Sequence, residues 1–137
     1  MKQEAITVEE FNRRVPLIDR ICNSIIECWA NVVRLRNVLT NLEKTATKDL
    51  TPEEQEIVKE QVSAAQGDLN NKITAMHGYI KEIEAMGGRV MEMQRAYVVF
   101  PFVHGAALRW ICYCPQDNGA EYWINYDETP KDRRRIQ

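Results

Sequence analysis

The chain has 137 residues, 45% hydrophobic and 28% charged, and its 18 Lys and Arg nearly balance 20 Asp and Glu for a net charge of −2. That length suits one domain with one continuous core, and the apolar share is far from the polar, highly charged compositions that stay disordered. Interspersed charges of both signs argue against nucleic acid and against an anionic membrane surface as partners; the one basic run is Arg133-Arg134-Arg135.

The N-terminal stretch MKQEAITVEEFNRR lacks the apolar run of a signal peptide, and no later stretch is long and charge-free enough to span a bilayer. A cytoplasmic protein is expected. Cys22, Cys28, Cys112 and Cys114 are too sparse for a disulfide scaffold and are expected as reduced thiols.

Thr7 followed by Glu10, with Ile6 and Phe11 at the positions of a hydrophobic staple, predicts a helix starting near Val8. Pro16 cannot donate to the carbonyl of Asn12, so the start of this helix is expected to be kinked. Apolar residues at Ile18, Ile21, Ile25, Cys28, Val32, Leu35, Leu39 and Leu42 then alternate spacings of three and four, a heptad seam that carries helix one over 8–44. A second apolar line, Cys22, Ile26, Trp29 and Val33, lies about a quarter-turn away on the same helix. Thr51, Pro52, Glu53 and Glu54 read as the N-cap and first turn of helix two. Its seam runs Val58, Val62, Ala65, Leu69, Ile73, Met76, Ile80 and Ile83 over 52–86, and Gly87-Gly88 ends it. The short connection makes the two helices an antiparallel hairpin.

From Tyr97 onward β-branched and aromatic residues dominate. Runs at 97–100, 108–114 and 121–126, separated by Pro101 and Gly105 and then by Pro115, Asp117, Asn118 and Gly119, predict a small antiparallel three-stranded β-module over 96–127. The fold class is therefore mainly α, an α+β chain in a single domain 1–137.

Convergent chemistry is scarce. Cys112-x-Cys114 places two thiols on one face of a strand, yet a closed zinc site needs four ligands and no others are in evidence, so no metal is expected. His77 and His104 have no nucleophile or acid at triad spacing, and no glycine-rich phosphate loop follows a strand, so no cofactor is expected. Trp110, Tyr113, Tyr122, Trp123 and Tyr126 concentrate aromatic area in the tail, where they serve either to pack a small sheet or to form a clamp. If the tail binds a ligand, the candidates are Cys112, Asp117, Glu121, Trp123, Asp127 and Arg133.

The stretch Gly87–Arg133 resembles an uncharacterised bacterial family, domain of unknown function 2203. Its members join a long helical hairpin to a tail reading approximately G-L-V-D-F-P, L-C-W-x-x-G-E and Y-W-H-x-x-D-x-G-F-x-G-R. The corresponding segments are Ala96–Pro101, Ile111-Cys112-Tyr113 and Tyr122–Asp127, with Arg133 at the final arginine. The opening T-V-E-E-F-N-R-R-V-P is similar to the family's F-T-L-E-E-A-N-x-L-L-P. Val99 stands at the family's aspartate, Ile124 at its histidine, and Thr129-Pro130 at its Gly-Phe, so any chemistry at those positions is altered here. The resemblance implies an architecture rather than an activity.

Two readings result. The first is a noncatalytic interaction or scaffold protein, a homodimer in which Cys22, Ile26, Trp29 and Val33 form the self-association face. In a competing arrangement the β-tail folds over that face within one chain. The second reading is a small-ligand-binding or enzymatic module with its site among the tail candidates. Arg133 is expected to be ordered; Arg134 and Arg135 are expected to be frayed and dispensable for stability.

Overall fold

The computed structural model describes residues 5–137. Two long helices, α1 (Val8–Ala46) and α2 (Pro52–Ala85), precede five strands: β1 (Arg89–Glu92), β2 (Tyr97–His104), β3 (Ala107–Tyr113), β4 (Tyr122–Ile124) and β5 (Arg134–Arg135). Thr7 Oγ1 accepts the Glu10 N–H at 3.1 Å, and Ile6 and Phe11 are both buried, so cap and staple form together. Pro16 does not restart the helix. It lies at an exposed position within an uninterrupted α1. At the start of α2, Thr51 and Glu54 exchange hydrogen bonds of 3.2 and 3.1 Å, a reciprocal capping box that holds the Glu54 carboxyl below its ordinary range.

Gly87 takes the left-handed conformation (φ 94°), and the Gly88 N–H returns to the Ile83 carbonyl at 3.0 Å, which closes α2. Gly88 is required for a second reason. A Cβ there would lie 2.5 Å from the buried Phe100 ring.

The chain divides into two compact units, one comprising residues up to Ile26 together with Gly78–Gln137 and the other Glu27–His77. The second unit is a helical hairpin. Val32, Leu35 and Leu39 of α1 pack against Ala65 and Leu69 of α2, flanked by Trp29, Val38, Leu42, Val62 and Ile73. These are the middle positions of the two predicted seams, brought together by the spacing of three and four.

The first unit holds the sheet, an antiparallel meander in the order β1-β2-β3-β4-β5. It has five strands where three were predicted, and it extends beyond 96–127 at both ends. β1 and β5 escaped the sequence reading because Arg89-Val90-Met91-Glu92 and Arg134-Arg135 lack β-branched or aromatic runs. Pairing with Tyr97–Val99 and with Tyr122-Trp123, rather than their own propensity, makes them strands. Pro101, inside β2, is tolerated because its carbonyl accepts the Ile6 N–H at 2.7 Å where β1 no longer pairs.

The two faces of the sheet differ. Val98, Phe100, Phe102, Ile111, Tyr113 and Trp123 pack with Phe11, Ile18, Ile21, Cys22 and Ile25 of α1 and with Ile83 of α2. The opposite face carries a smaller cluster of Val99, Trp110, Cys112 and Ile124, bordered by Tyr97. The segment after β4 crosses this face, and Tyr126 stacks on Trp110 with ring centroids 4.2 Å apart. Most of the buried residues gather in these three clusters.

Packing against the sheet also corrects the self-association face. Cys22 is fully buried in the cluster that the sheet shares with the helices, and Ile26 is half-buried against the same cluster. Trp29 and Val33 belong to the hairpin unit; Val33 is 41% exposed and Trp29 half-buried.

Candidate functional site

The predicted tail residues separate into four places. Asp117 and Arg133 form an ion pair of 2.6 Å, and the same Asp117 oxygen accepts the Cys114 N–H at 3.0 Å. The Arg133 guanidinium lies 4.1 Å from the Tyr122 ring and 5.0 Å from Tyr97, aromatic residues on the strands that flank β3. Cys112 of β3 faces the same side, and its thiol is buried. Burial pushes the Cys112 pKa up to about 12; Arg133 opposes the shift, and Asp117 and Cys114 add to it. The guanidinium thus packs on two rings and gives one hydrogen bond to a nearly buried carboxylate.

Trp123 lies on the opposite face of the sheet, opposite Ile111, in the cluster shared with the helices. Arg109 packs over its ring at 4.1 Å, Arg134 at 4.7 Å and the His104 ring at 4.9 Å. Arg109 Nη1 lies 3.1 Å from His104 Nδ1, and because arginine only donates, Nδ1 is the accepting side of that contact. Glu121 accepts the Asn118 N–H at 2.5 Å and pairs with Arg135 at 3.2 Å, tying the β3–β4 loop to the chain end. Asp127 is exposed, with no hydrogen bond or ion pair of its side chain among the described residues.

Arg134 and Arg135 are therefore ordered, against the expectation of fraying. Arg134 grips both oxygens of Glu128 at 2.6 Å and belongs to β5. The Arg134 hydrogen bonds first, and then the Asn125 N–H, hold the Glu128 pKa down to about 2. A carboxylate with a lowered folded-state pKa contributes its stability above the ordinary value and loses it as the pH falls towards 2.

The sequence reading missed several positioning residues. Asn12 Oδ1 accepts the Ala120 N–H at 2.8 Å and sits where a Cβ at Gly119 (φ 78°) would come within 2.6 Å, so this asparagine fixes the β3–β4 loop from the first turns of α1. Its place in the N-terminal motif was the available signal. Tyr97 offered only an aromatic at the start of a strand. Asp19, which accepts the Tyr113 hydroxyl at 2.8 Å, offered none; burial and then this bond raise the Tyr113 pKa.

All four cysteines are free and buried. Burial, then Asp19 and Cys114, push Cys22 up to about 12 as well. Thiols of this kind are inert. The thiols of the folded chain are expected to stay unmodified by a thiol-reactive dye at pH 8 and to react together on unfolding in urea; rapid labelling of Cys112 in the native state would contradict this. The raised values also set a sign. The neutral thiols stabilise the fold fully below about 8.5, the ordinary cysteine value, and that contribution is lost as the pH rises towards 12.

Among the described residues no group of three His, Cys, Asp or Glu is placed to hold a metal ion, and no helix is long and apolar enough to cross a membrane. The molecule is an α+β protein in which a two-helix hairpin precedes an antiparallel meander with internally paired polar residues. The chain belongs to the family described as uncharacterized conserved protein (DUF2203), which matches it over residues 5–136. No curated protein and no solved structure matches it.

Proposed function

We propose that this chain is a noncatalytic interaction protein that self-associates through the hairpin Glu27–His77. The observation that carries the reading is the state of that hairpin. A two-helix layer buries one side of each helix, and here Val33 is 41% and Ile57 55% exposed, with Trp29 half-covered. A second copy is the occupant that the charges favour. On α1 the hairpin exposes Arg34, Arg36 and Lys44 against Glu27 and Glu43, a small basic excess; on α2 it exposes Glu53, Glu54, Glu56, Glu60 and Asp68 against Lys59, an acidic excess. Every ion pair among the described residues lies in the tail, so none of these charges is paired with an opposite charge within the chain, although Glu54 also caps α2 and Arg34 donates to Asn31. A two-fold axis sets the acidic helix of one copy beside the basic helix of the other and forms a four-helix layer.

The tail supports the same reading by elimination. Asp117, Glu121, Trp123 and Arg133 engage one another or their neighbours, and Cys112 is buried. Val99 and Ile124, which occupy the family's aspartate and histidine positions, are fully buried in an apolar cluster.

The test is Val33→Glu followed by light scattering and circular dichroism. Val33 is exposed within one chain, so the variant is expected to keep its helicity and become a monomer. A Val33→Glu protein with the native mass of the parent would overturn the assignment of the interface.

A further inference from the structure

A groove of about 440 Å³ in the sheet unit is lined by Glu92, Arg95, Tyr97, Thr129, Pro130 and Lys131. Its size falls in the range of small-molecule sites. One wall is the β1–β2 turn, held by Ala96 in the left-handed conformation (φ 55°) and by its N–H bond of 3.3 Å to the Met93 carbonyl. The other wall is the short 3-10 turn Pro130–Asp132. Tyr97 presents a ring to the groove and is held by Arg133, 5.0 Å away; Pro130 supplies a second apolar surface.

The polar groups of the lining are unequally satisfied. Glu92 accepts the Arg95 N–H at 3.1 Å. The Thr129 N–H and hydroxyl both go to Asp132, at 3.0 and 3.3 Å. Arg95 and Lys131 are exposed, one on each wall, and neither forms an ion pair among the described residues. The two cations outnumber the one lining carboxylate, Glu92, and beside an aromatic wall they disfavour a cationic guest and leave donors unused by a neutral one.

We propose that this groove binds a small planar ring bearing a carboxylate or phosphate, the ring packing on Tyr97 and Pro130 and the anion held by Arg95 and Lys131. The inference is independent of self-association, because every residue it uses lies in the sheet unit. The measurement is an amide-resolved NMR titration of the full chain with phenyl phosphate, benzoate and inorganic phosphate in turn. Saturable shifts at residues 92–97 and 129–133 are expected with one or both ring-bearing anions, and the stronger of the two identifies the anionic group. Inorganic phosphate, lacking the ring, is expected to bind at least about tenfold more weakly, as are the ring compounds to Arg95→Ala or Lys131→Ala. Both substitutions are at exposed positions and leave the fold intact, which the unchanged remainder of each spectrum verifies. The proposal is overturned by the absence of saturation at millimolar ligand, by shifts centred elsewhere, by equal binding of inorganic phosphate, or by unchanged affinity in both variants.

Discussion

Replacing Phe11 with alanine is expected to destabilise the protein by about 3–5 kcal/mol, the usual cost of deleting a fully buried aromatic side chain. Phe11 is 0% exposed and meets two other rings edge-on, Phe100 at 5.4 Å and Tyr113 at 5.5 Å. These contacts join the first turn of α1 to β2 and β3. Phe100 also lies close against Gly88, where a Cβ would come within 2.5 Å of its ring, so the packing around this cluster is tight. Urea unfolding followed by circular dichroism measures the effect. A loss below about 1 kcal/mol would mean that the site collapses freely and that the ring cluster does not organise this unit.

Arg133→Ala is expected to cost about 2–3 kcal/mol, somewhat below the range for breaking a fully buried pair, because the Arg133 side chain is 18% exposed. Asp117, at 7%, would keep only the Cys114 N–H. Tyr97 and Tyr122 would lose the guanidinium packed against both. Arg133→Lys is expected to recover only part of the loss, since an ammonium lacks the planar group that stacks on both rings while bonding the carboxylate. Equal stability of Arg133→Ala and wild type in urea would show that the cluster is incidental to the fold.

The helices were legible in the sequence because their signals are local and redundant. Thr7 and Thr51 act as caps, Gly87 adopts the left-handed stop, and the seam residues Val32, Leu35, Leu39, Ala65 and Leu69 meet as their spacing requires. The sheet was legible where β-branched and aromatic residues are dense, in β2, β3 and β4. β1 and β5 were not, because their strand conformation comes from partners and not from Arg89-Val90 or Arg134-Arg135 themselves.

The candidate site was partly legible for a comparable reason. The pairing of Arg133 with Asp117 joins residues sixteen apart in one tail, and both had been singled out. Period-two alternation implied a split of the aromatics between faces. It did not say that Trp123 would face the helices while Cys112 faced away from them. The second apolar line of α1 was a true pattern with two destinations. Cys22 is buried in the cluster that the sheet shares with the helices, a long-range event invisible to periodicity, and Ile26 is half-buried against it, whereas Trp29 and Val33 lie in a unit the sheet does not include. The Asn12 contact with the Gly119–Ala120 loop spans more than a hundred residues, and no local rule anticipates it.

Self-association through the hairpin is the central claim, and the native mass of the wild-type protein tests it most directly. Sedimentation equilibrium at micromolar to tens of micromolar protein is expected to report twice the chain mass of 15.9 kDa, with dissociation favoured by high salt as the facing charges are screened. A single species at 15.9 kDa across that range would contradict the claim.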